Sequence, residues 1–286
     1  MKRMLLWLAA LLLLAGCQAQ PVQNTTLAPP PEYDTVAIAM IDTGISTTAI
    51  DSSRVLPGYN YVRGDRDTQD RINHGTATAS ILVGCESAKI TGICPQVLLI
   101  PLVVTDKVEG KVTGVAPEML AKAIRDAVDV YGVDLINVSL GIQKDDPAVR
   151  EAVAYAERRG VAVISAAGND GRQDSAYYPA AYDTVLGVGS HDRDGEISDF
   201  SQQNGTADLL APGEDIWMAS RNGAVYGAKG TSYAAAYVTG AAARLLAENA
   251  ALTPVQLRQA LFDAATDIAD PGWDDRSGWG ILKVEP

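Results

Sequence analysis

Gly230, Thr231 and Ser232 precede a proline-free, Ala- and Leu-rich run at residues 233–248, which predicts a helix. Gly230 would allow a tight backbone approach. A serine at such a loop-to-helix junction is surrounded by unpaired backbone N–H groups. That setting suits a nucleophile that attacks a carbonyl and must then hold an oxyanion. A plain N-cap is the competing role for Ser232, so the chemistry depends on a base, an orienting acid and a second oxyanion donor. The chain has two histidines, His74 and His191. His74 opens Asn73-His74-Gly75-Thr76-Ala77, at the start of a predicted helix of small residues where other backbone can come close. Asp42 ends an apolar run and begins Asp42-Thr43-Gly44. A carboxylate at the carboxyl end of a parallel strand lies where open α/β sheets keep their ligand sites; a turn residue before Gly44 is the other reading. A serine hydroxyl needs a base to take its proton, histidine titrates in the right range, and a carboxylate fixes its tautomer. Asn169, in a Gly-Asn turn, could add a side-chain amide aimed at the tetrahedral intermediate.

The elements that must position these residues are legible from periodicity. The continuous apolar run at 36–41 reads as a buried parallel strand, and 97–104, 133–140, 161–164 and 182–189 read as further strands. Helical spacing marks 117–131, 147–159 and 254–265, the last with Thr253 as cap and Pro254 at its first position. Residues 51–72 are polar and irregular, which predicts a surface excursion. Strand alternating with helix argues for a parallel sheet covered on both faces. No internal repeat and no second linker follow Tyr33, so residues 34–286 read as one domain.

With 286 residues, 47% apolar, the chain can bury a large core. A formal charge of −12 and no basic patch exclude nucleic acid as a partner, and two histidines exclude a histidine-rich metal site. Residues 1–17 read as a targeting segment: Lys2 and Arg3 lead an apolar run at 4–14 too short to span a bilayer. It ends Leu14-Ala15-Gly16-Cys17, which resembles the lipobox of bacterial lipoprotein signal peptides. The resemblance implies cleavage before Cys17, lipidation of that thiol and an extracytoplasmic protein tethered to a membrane. Gln18 after the cysteine points to the outer membrane in a two-membrane cell. Residues 18–33, with Pro29-Pro30-Pro31, read as a flexible linker.

Taken together, Ile41-Asp42-Thr43-Gly44, His74-Gly75-Thr76, Ser139-Leu140-Gly141, Ala167-Gly168-Asn169 and Gly230-Thr231-Ser232 resemble the subtilisin-like serine peptidases, the subtilases, over nearly all of residues 34–286. The chain order Asp, His, Ser is that of subtilisin. The resemblance implies a three-layer α/β/α fold with a mostly parallel central sheet. It also implies a serine endopeptidase with Asp42, His74 and Ser232 as triad and Asn169 in the oxyanion hole. Ser139, Leu140 and Gly141 would pair with an extended polypeptide substrate through main-chain hydrogen bonds. Ala166, Ala167 and Gly168 would line the pocket for the residue before the scissile bond, and their small size suggests an open pocket. The chain departs from the family at Tyr233, usually Met, and Ala236, usually Pro. The sixteen or so residues at 18–33 are too few for the folded propeptide common in the family. No cofactor is required; structural calcium is compatible with the family, but its loops are not matched here and no metal is assigned.

Three rivals stand beside this reading. An aspartic peptidase shares the Asp-Thr-Gly signature but needs two such carboxylates, and the chain has one. A catalytically silent domain could bind peptides through the same groove. A processing or transpeptidating enzyme could pass the same acyl group to an amine. Finally, Cys85 and Cys94 are the two thiols left once Cys17 is lipidated. An oxidising compartment predicts that they form a disulfide stapling the loop after the His74 helix.

Overall fold

A computed structural model describes residues 32–171 and 174–283; the leader and Cys17 lie outside them. The strands are β1 (Ala37–Asp42), β2 (Tyr59–Asn60), β3 (Leu98–Val103), β4 (Lys107–Val108), β5 (Lys111–Val112), β6 (Leu135–Val138), β7 (Ala162–Ala166), β8 (Val185–His191), β9 (Leu209–Pro212), β10 (Ile216–Ala219), β11 (Val225–Ala228), β12 (Ala265–Thr266) and β13 (Ile281–Leu282). The helices are α1 (Gly75–Val83), α2 (Pro117–Asp129), α3 (Pro147–Arg158), α4 (Thr231–Glu248) and α5 (Pro254–Asp263). One nine-stranded sheet runs in the order β12-β13-β9-β8-β7-β6-β1-β3-β2. Its pairings are parallel except that of β12 with β13.

Successive strand residues point to opposite faces, and β1 divides accordingly. Ile38 and Met40 join a core with Ala77 of α1, Ala235 of α4 and Leu257 of α5. Ala37, Ala39 and Ile41 join a second core with Leu120 and Ile124 of α2 and Val149 of α3. Burial on both faces explains why the segment leading into Asp42 reads as an unbroken apolar run. The fold is the expected three-layer α/β/α arrangement. The chain leaves β1 for β3 on one side and returns to β6 on the other, so the strand order reverses at β1. A crevice opens at such a switch point, beyond the carboxyl ends of the strands.

The long helix α4 packs over β6, β7, β8 and β9 with its alanines inward: Ala234, Ala235, Ala236, Ala242 and Ala243 are fully buried. Small side chains let the helix axis approach the sheet. Downstream, α5 is capped as predicted, with Thr253 and Gln256 forming a reciprocal capping box and Pro254 in the first turn. Among the described residues no helix is long and apolar enough to cross a membrane.

Three expectations need correction. Residues 51–72 are not merely a surface excursion, because they supply edge strand β2 and the buried Asn60 and Asp70. Tyr33 belongs to the fold and not to the linker: its hydroxyl donates to the Tyr131 carbonyl at 2.9 Å and its ring packs on the second core. Cys85 and Cys94 are separate free thiols. Cys85 packs with Ala49, Ala88 and Ala219, whereas Cys94 enters the main core. Backbone hydrogen bonds close the loop in place of a staple. Cys85 and Ile90 exchange N–H···O bonds at 2.9 and 3.0 Å, and the Cys94 N–H reaches back to the Leu82 carbonyl at 2.9 Å. Cys94 is therefore held opposite Leu82, out of register with Cys85. Burial pushes the Cys94 thiol up in pKa, against a smaller opposing effect of Arg244, which leaves it a poor nucleophile.

Candidate active site

Asp42 ends β1 inside the crevice and is almost wholly buried. Its Oδ1 accepts the Thr43 N–H at 2.7 Å and lies 2.7 Å from His74 Nδ1, while Oδ2 accepts the Thr78 hydroxyl at 3.2 Å. A carboxylate cannot donate, so Nδ1 of His74 carries the proton and Nε2 is left to accept one. Burial works to lower the His74 pKa. The Asp42 charge and hydrogen bond, with a further push from the Asp70 charge, outweigh it and hold the imidazole above its ordinary value. The side chain of His74 keeps 25% of its surface exposed, enough to meet a substrate.

Gly75 brings α1 against the Asp42 turn. A Cβ there would stand 2.2 Å from the Gly44 carbonyl oxygen, so only glycine permits the approach that seats His74 over Asp42. Gly230 has a different duty from the one expected. A Cβ at Gly230 would meet nothing nearer than 3.5 Å, but its φ is +156°, a conformation only glycine adopts readily. The close approach belongs to Gly75, and Gly230 supplies the turn into α4.

Ser232 lies in the first turn of α4, where its N–H has no intrahelical partner. It is not an N-cap: its hydroxyl donates to the Ser139 carbonyl at 2.8 Å. Hydrogen bonds of this kind are often rearranged when substrate binds. A buried polar chain fixes the surroundings. Thr239 of α4 donates to Asn137 Oδ1 at 2.9 Å, Asn137 Nδ2 donates to Ser139 Oγ at 2.8 Å, and Ser139 Oγ donates to the Ser232 carbonyl at 3.2 Å. Asn169 is also tied to the start of α4. Its Oδ1 accepts both the N–H and the hydroxyl of Thr231 at 2.9 Å, which leaves its NH₂ free of that duty.

One cavity of 280 Å³ is lined by His74, Ser139, Leu140, Gly141, Ala166, Gly168, Asn169, Asp170, Tyr177, Thr231 and Ser232. It gathers the expected residues apart from two. Asp42 lies behind His74. Ala167 faces away into a cluster with Ala207, Leu210 and Ile281, because alternate residues of an extended segment point to opposite sides. Tyr177, from a later segment, also forms part of the lining, so the small residues do not shape the pocket alone. His191 stands outside the cavity, with Nδ1 against the Asp192 carbonyl at 2.6 Å.

Two site features were missed in the sequence. Asp70 never touches His74 but organises both loops that carry the dyad. It accepts from the Thr43 hydroxyl, the Thr76 N–H and hydroxyl, and the N–H groups of Ile72 and Asn73, all at 2.7–2.9 Å. Thr43 then accepts the Gly75 N–H at 2.8 Å. An acidic residue four positions before His74 was the available signal, hidden among exposed neighbours of the same kind. The second feature is Tyr233, whose ring centroid lies 5.9 Å from that of His74. Its phenol is hydrogen-bonded to that of Tyr226, which donates to the Asn73 carbonyl at 2.9 Å. The family departure at Tyr233 thus bears on the histidine side of the site.

Among the described residues, no group of three or more His, Cys, Asp or Glu side chains is placed to hold a metal ion. The acidic stretch beside β2 is neutralised by arginines instead. Fully buried Asp106 accepts from Asn60 at 2.9 Å, Arg63 at 2.6 Å and Arg71 at 3.3 Å.

Residues 34–280 match the model of the subtilase family. The chain belongs to the subtilase family. This subtilase is 32% identical to subtilisin DY of Bacillus licheniformis over 254 residues, covering 87% of this chain and 89% of the relative. It is 35% identical to the major intracellular serine protease of Bacillus subtilis (strain 168) over 260 residues, covering 83% of this chain and 80% of that protein. A solved lanthipeptide protease superposes with a TM-score of 0.77 at 27% identity, over 87% of this chain and 85% of that one. The subtilase is accordingly a serine-type endopeptidase, and its substrates are polypeptides.

Proposed function

We propose that Ser232 is the nucleophile, His74 the general base and acid, Asp42 the group that orients His74, and Asn169 an oxyanion donor. The observation that carries this reading is the 2.7 Å contact between His74 Nδ1 and Asp42, at a cavity that also holds Ser232 and Asn169. In the first step the Ser232 hydroxyl leaves the Ser139 carbonyl for His74, its proton passes to Nε2, and Oγ bonds to the substrate carbonyl carbon. The Asp42 carboxylate stabilises the imidazolium. The oxyanion receives the Ser232 N–H and the Asn169 amide. When the intermediate collapses, Nε2 protonates the departing amine and an ester to Ser232 remains. Water, activated by the same imidazole, then hydrolyses that ester.

The extended residues Ser139, Leu140 and Gly141 would pair with the substrate backbone, which favours an unfolded or looped polypeptide over a folded one. The likeness to a lanthipeptide protease favours one further reading, a processing role on a restricted set of precursors, using the same acyl-enzyme. We also infer, from Leu14-Ala15-Gly16-Cys17, that the enzyme works outside the cytoplasm on a lipid anchor at Cys17. An acyl mass on Cys17, and release from the membrane fraction in Cys17→Ser, is the expected result.

A fluorophosphonate probe tests the catalytic assignment. It should label Ser232 and no other residue, and labelling should vanish in His74→Ala. Attachment elsewhere with Ser232 untouched would refute the role.

A further inference from the structure

Between the two segments expected to hold substrate lies an aromatic ring that belongs to neither. Tyr177 follows Asn169 by eight residues and returns to the cavity that contains Ser232 and His74. One edge of its ring faces Gly141 and the other faces Gly168. A Cβ built on Gly168 would stand 2.4 Å from Tyr177 Cδ2, and one built on Gly141 would stand 3.5 Å from Tyr177 Cδ1. The ring lies on the bare backbone of Gly168, in the gap between the substrate strand and the pocket wall. Glycine at 168 is what makes room for it.

Polar contacts hold the ring at its outer end. The Tyr177 hydroxyl donates to Asp170 Oδ2 at 2.7 Å and accepts from Gln143 Nε2 at 2.9 Å. Gln143 lies just beyond the substrate strand, and Asp170 directly follows Asn169. The phenol therefore bridges the two walls it separates, and a ring tethered from both sides is poorly placed to swing out.

We propose that Tyr177 is a specificity-determining residue that restricts the substrate residue before the scissile bond to small side chains such as Gly, Ala or Ser. The proposal rests on Ser232 being the nucleophile. An extended peptide lying along Ser139, Leu140 and Gly141 with its carbonyl at Ser232 must direct the preceding side chain between Gly141 and Gly168. The Tyr177 ring takes up part of that space and forms one wall of what remains. A methyl or hydroxymethyl group fits beside the ring. A benzyl or isobutyl group would press on Tyr177 and work against its bonds to Asp170 and Gln143. Steric exclusion of this kind acts on kcat/KM for a large substrate relative to a small one and leaves the chemical groups at the triad unchanged.

The test uses two peptide p-nitroanilides that differ only in carrying Ala or Phe before the cleaved bond. Wild type should favour Ala over Phe by about tenfold or more in kcat/KM. Tyr177→Gly, which empties the slot, should reverse the preference. Tyr177→Phe keeps the ring and loses the tether, so it should still favour Ala. The Ala/Phe ratio is measured within one preparation, so a lower active fraction in either variant does not affect it. A wild type that favours Phe, or a Tyr177→Gly variant with an unchanged ratio, would overturn the proposal. Fluorophosphonate labelling of the same samples separates the two levels. Labelled Ser232 with a Phe preference removes the ring's role alone, whereas no labelling and no cleavage of either peptide removes the nucleophile assignment with it.

Discussion

The loops that carry His74 and Asn169 serve one cavity but are built in different ways. Around His74 the constraints are buried. Asp70 gathers donors from Thr43, Ile72, Asn73 and Thr76, and Gly75 locks α1 onto the Asp42 turn. Around Asn169 the anchor to Thr231 is short, but beyond it Asp170 is exposed and Tyr177 only half-buried. Ser175 in that stretch is held through its carbonyl by the Asn204 amide at 2.8 Å. Hydrogen bonds are stronger and less tolerant of loss where water is excluded. The base side is thus held by a buried network, and the pocket side by bonds nearer the surface.

Mutations rank along this contrast. Asp42→Asn should cost most, lowering kcat by about 10⁴, because an amide at Oδ1 reverses the tautomer that leaves Nε2 free. Asn169→Ala should lower kcat by about 10²–10³, the size this donor contributes in a subtilisin, with KM nearly unchanged. A large KM effect at normal kcat would place Asn169 in substrate binding and erase the distinction between anchor and wall. Asp70→Ala should lower kcat about tenfold and also lower the melting temperature. Each buried donor left without an acceptor costs about 1–3 kcal/mol, and the loops of Asp42 and His74 lose their common support. If only stability falls, Asp70 is structural and not a positioning residue.

The electrostatics give a subtler check. His74 acts as a base when deprotonated, and Asp42 with Asp70 holds its pKa above the ordinary imidazole value. The acid limb of kcat/KM against pH should therefore lie above about 6.5: activity falls as pH drops through that value. The limb should move to lower pH in Asp70→Asn, which removes one nearby negative charge. A limb at or below 6.5 in the wild type would mean that burial, and not the carboxylates, governs His74. The smallest effect is expected at the thiols. Reducing agent should change neither mass nor melting temperature, and both Cys85 and Cys94 should be alkylated only after unfolding. Their separate apolar settings and the Cys94–Leu82 backbone bond require this result.

Much of the fold was legible because its causes are local. Mostly apolar strand segments, Pro at the first turn of α2, α3 and α5, and strand alternating with helix lead to a parallel sheet in three layers. The reactive groups were legible for a related reason: Asp42, His74, Asn169 and Ser232 each sit at an element boundary that short-range composition already marks. What escaped were relations between distant segments. Nothing near Asp70 distinguishes it from the exposed Asp65 and Asp67, because its burial depends on Thr43 arriving from β1 and Thr76 from α1. The thiols are close in sequence, and only the register of residues 85–94 against α1 separates them. Ala166, Ala167 and Gly168 promised an open pocket because small side chains leave space. How much of that space stays empty was decided by Tyr177, which folds back from a separate stretch to line the gap. Composition and spacing thus determined which chemistry the chain could carry. Tertiary structure determined which carboxylate supports it, which thiols stay apart and how much room a substrate finds, since each depends on packing between residues far apart along the chain.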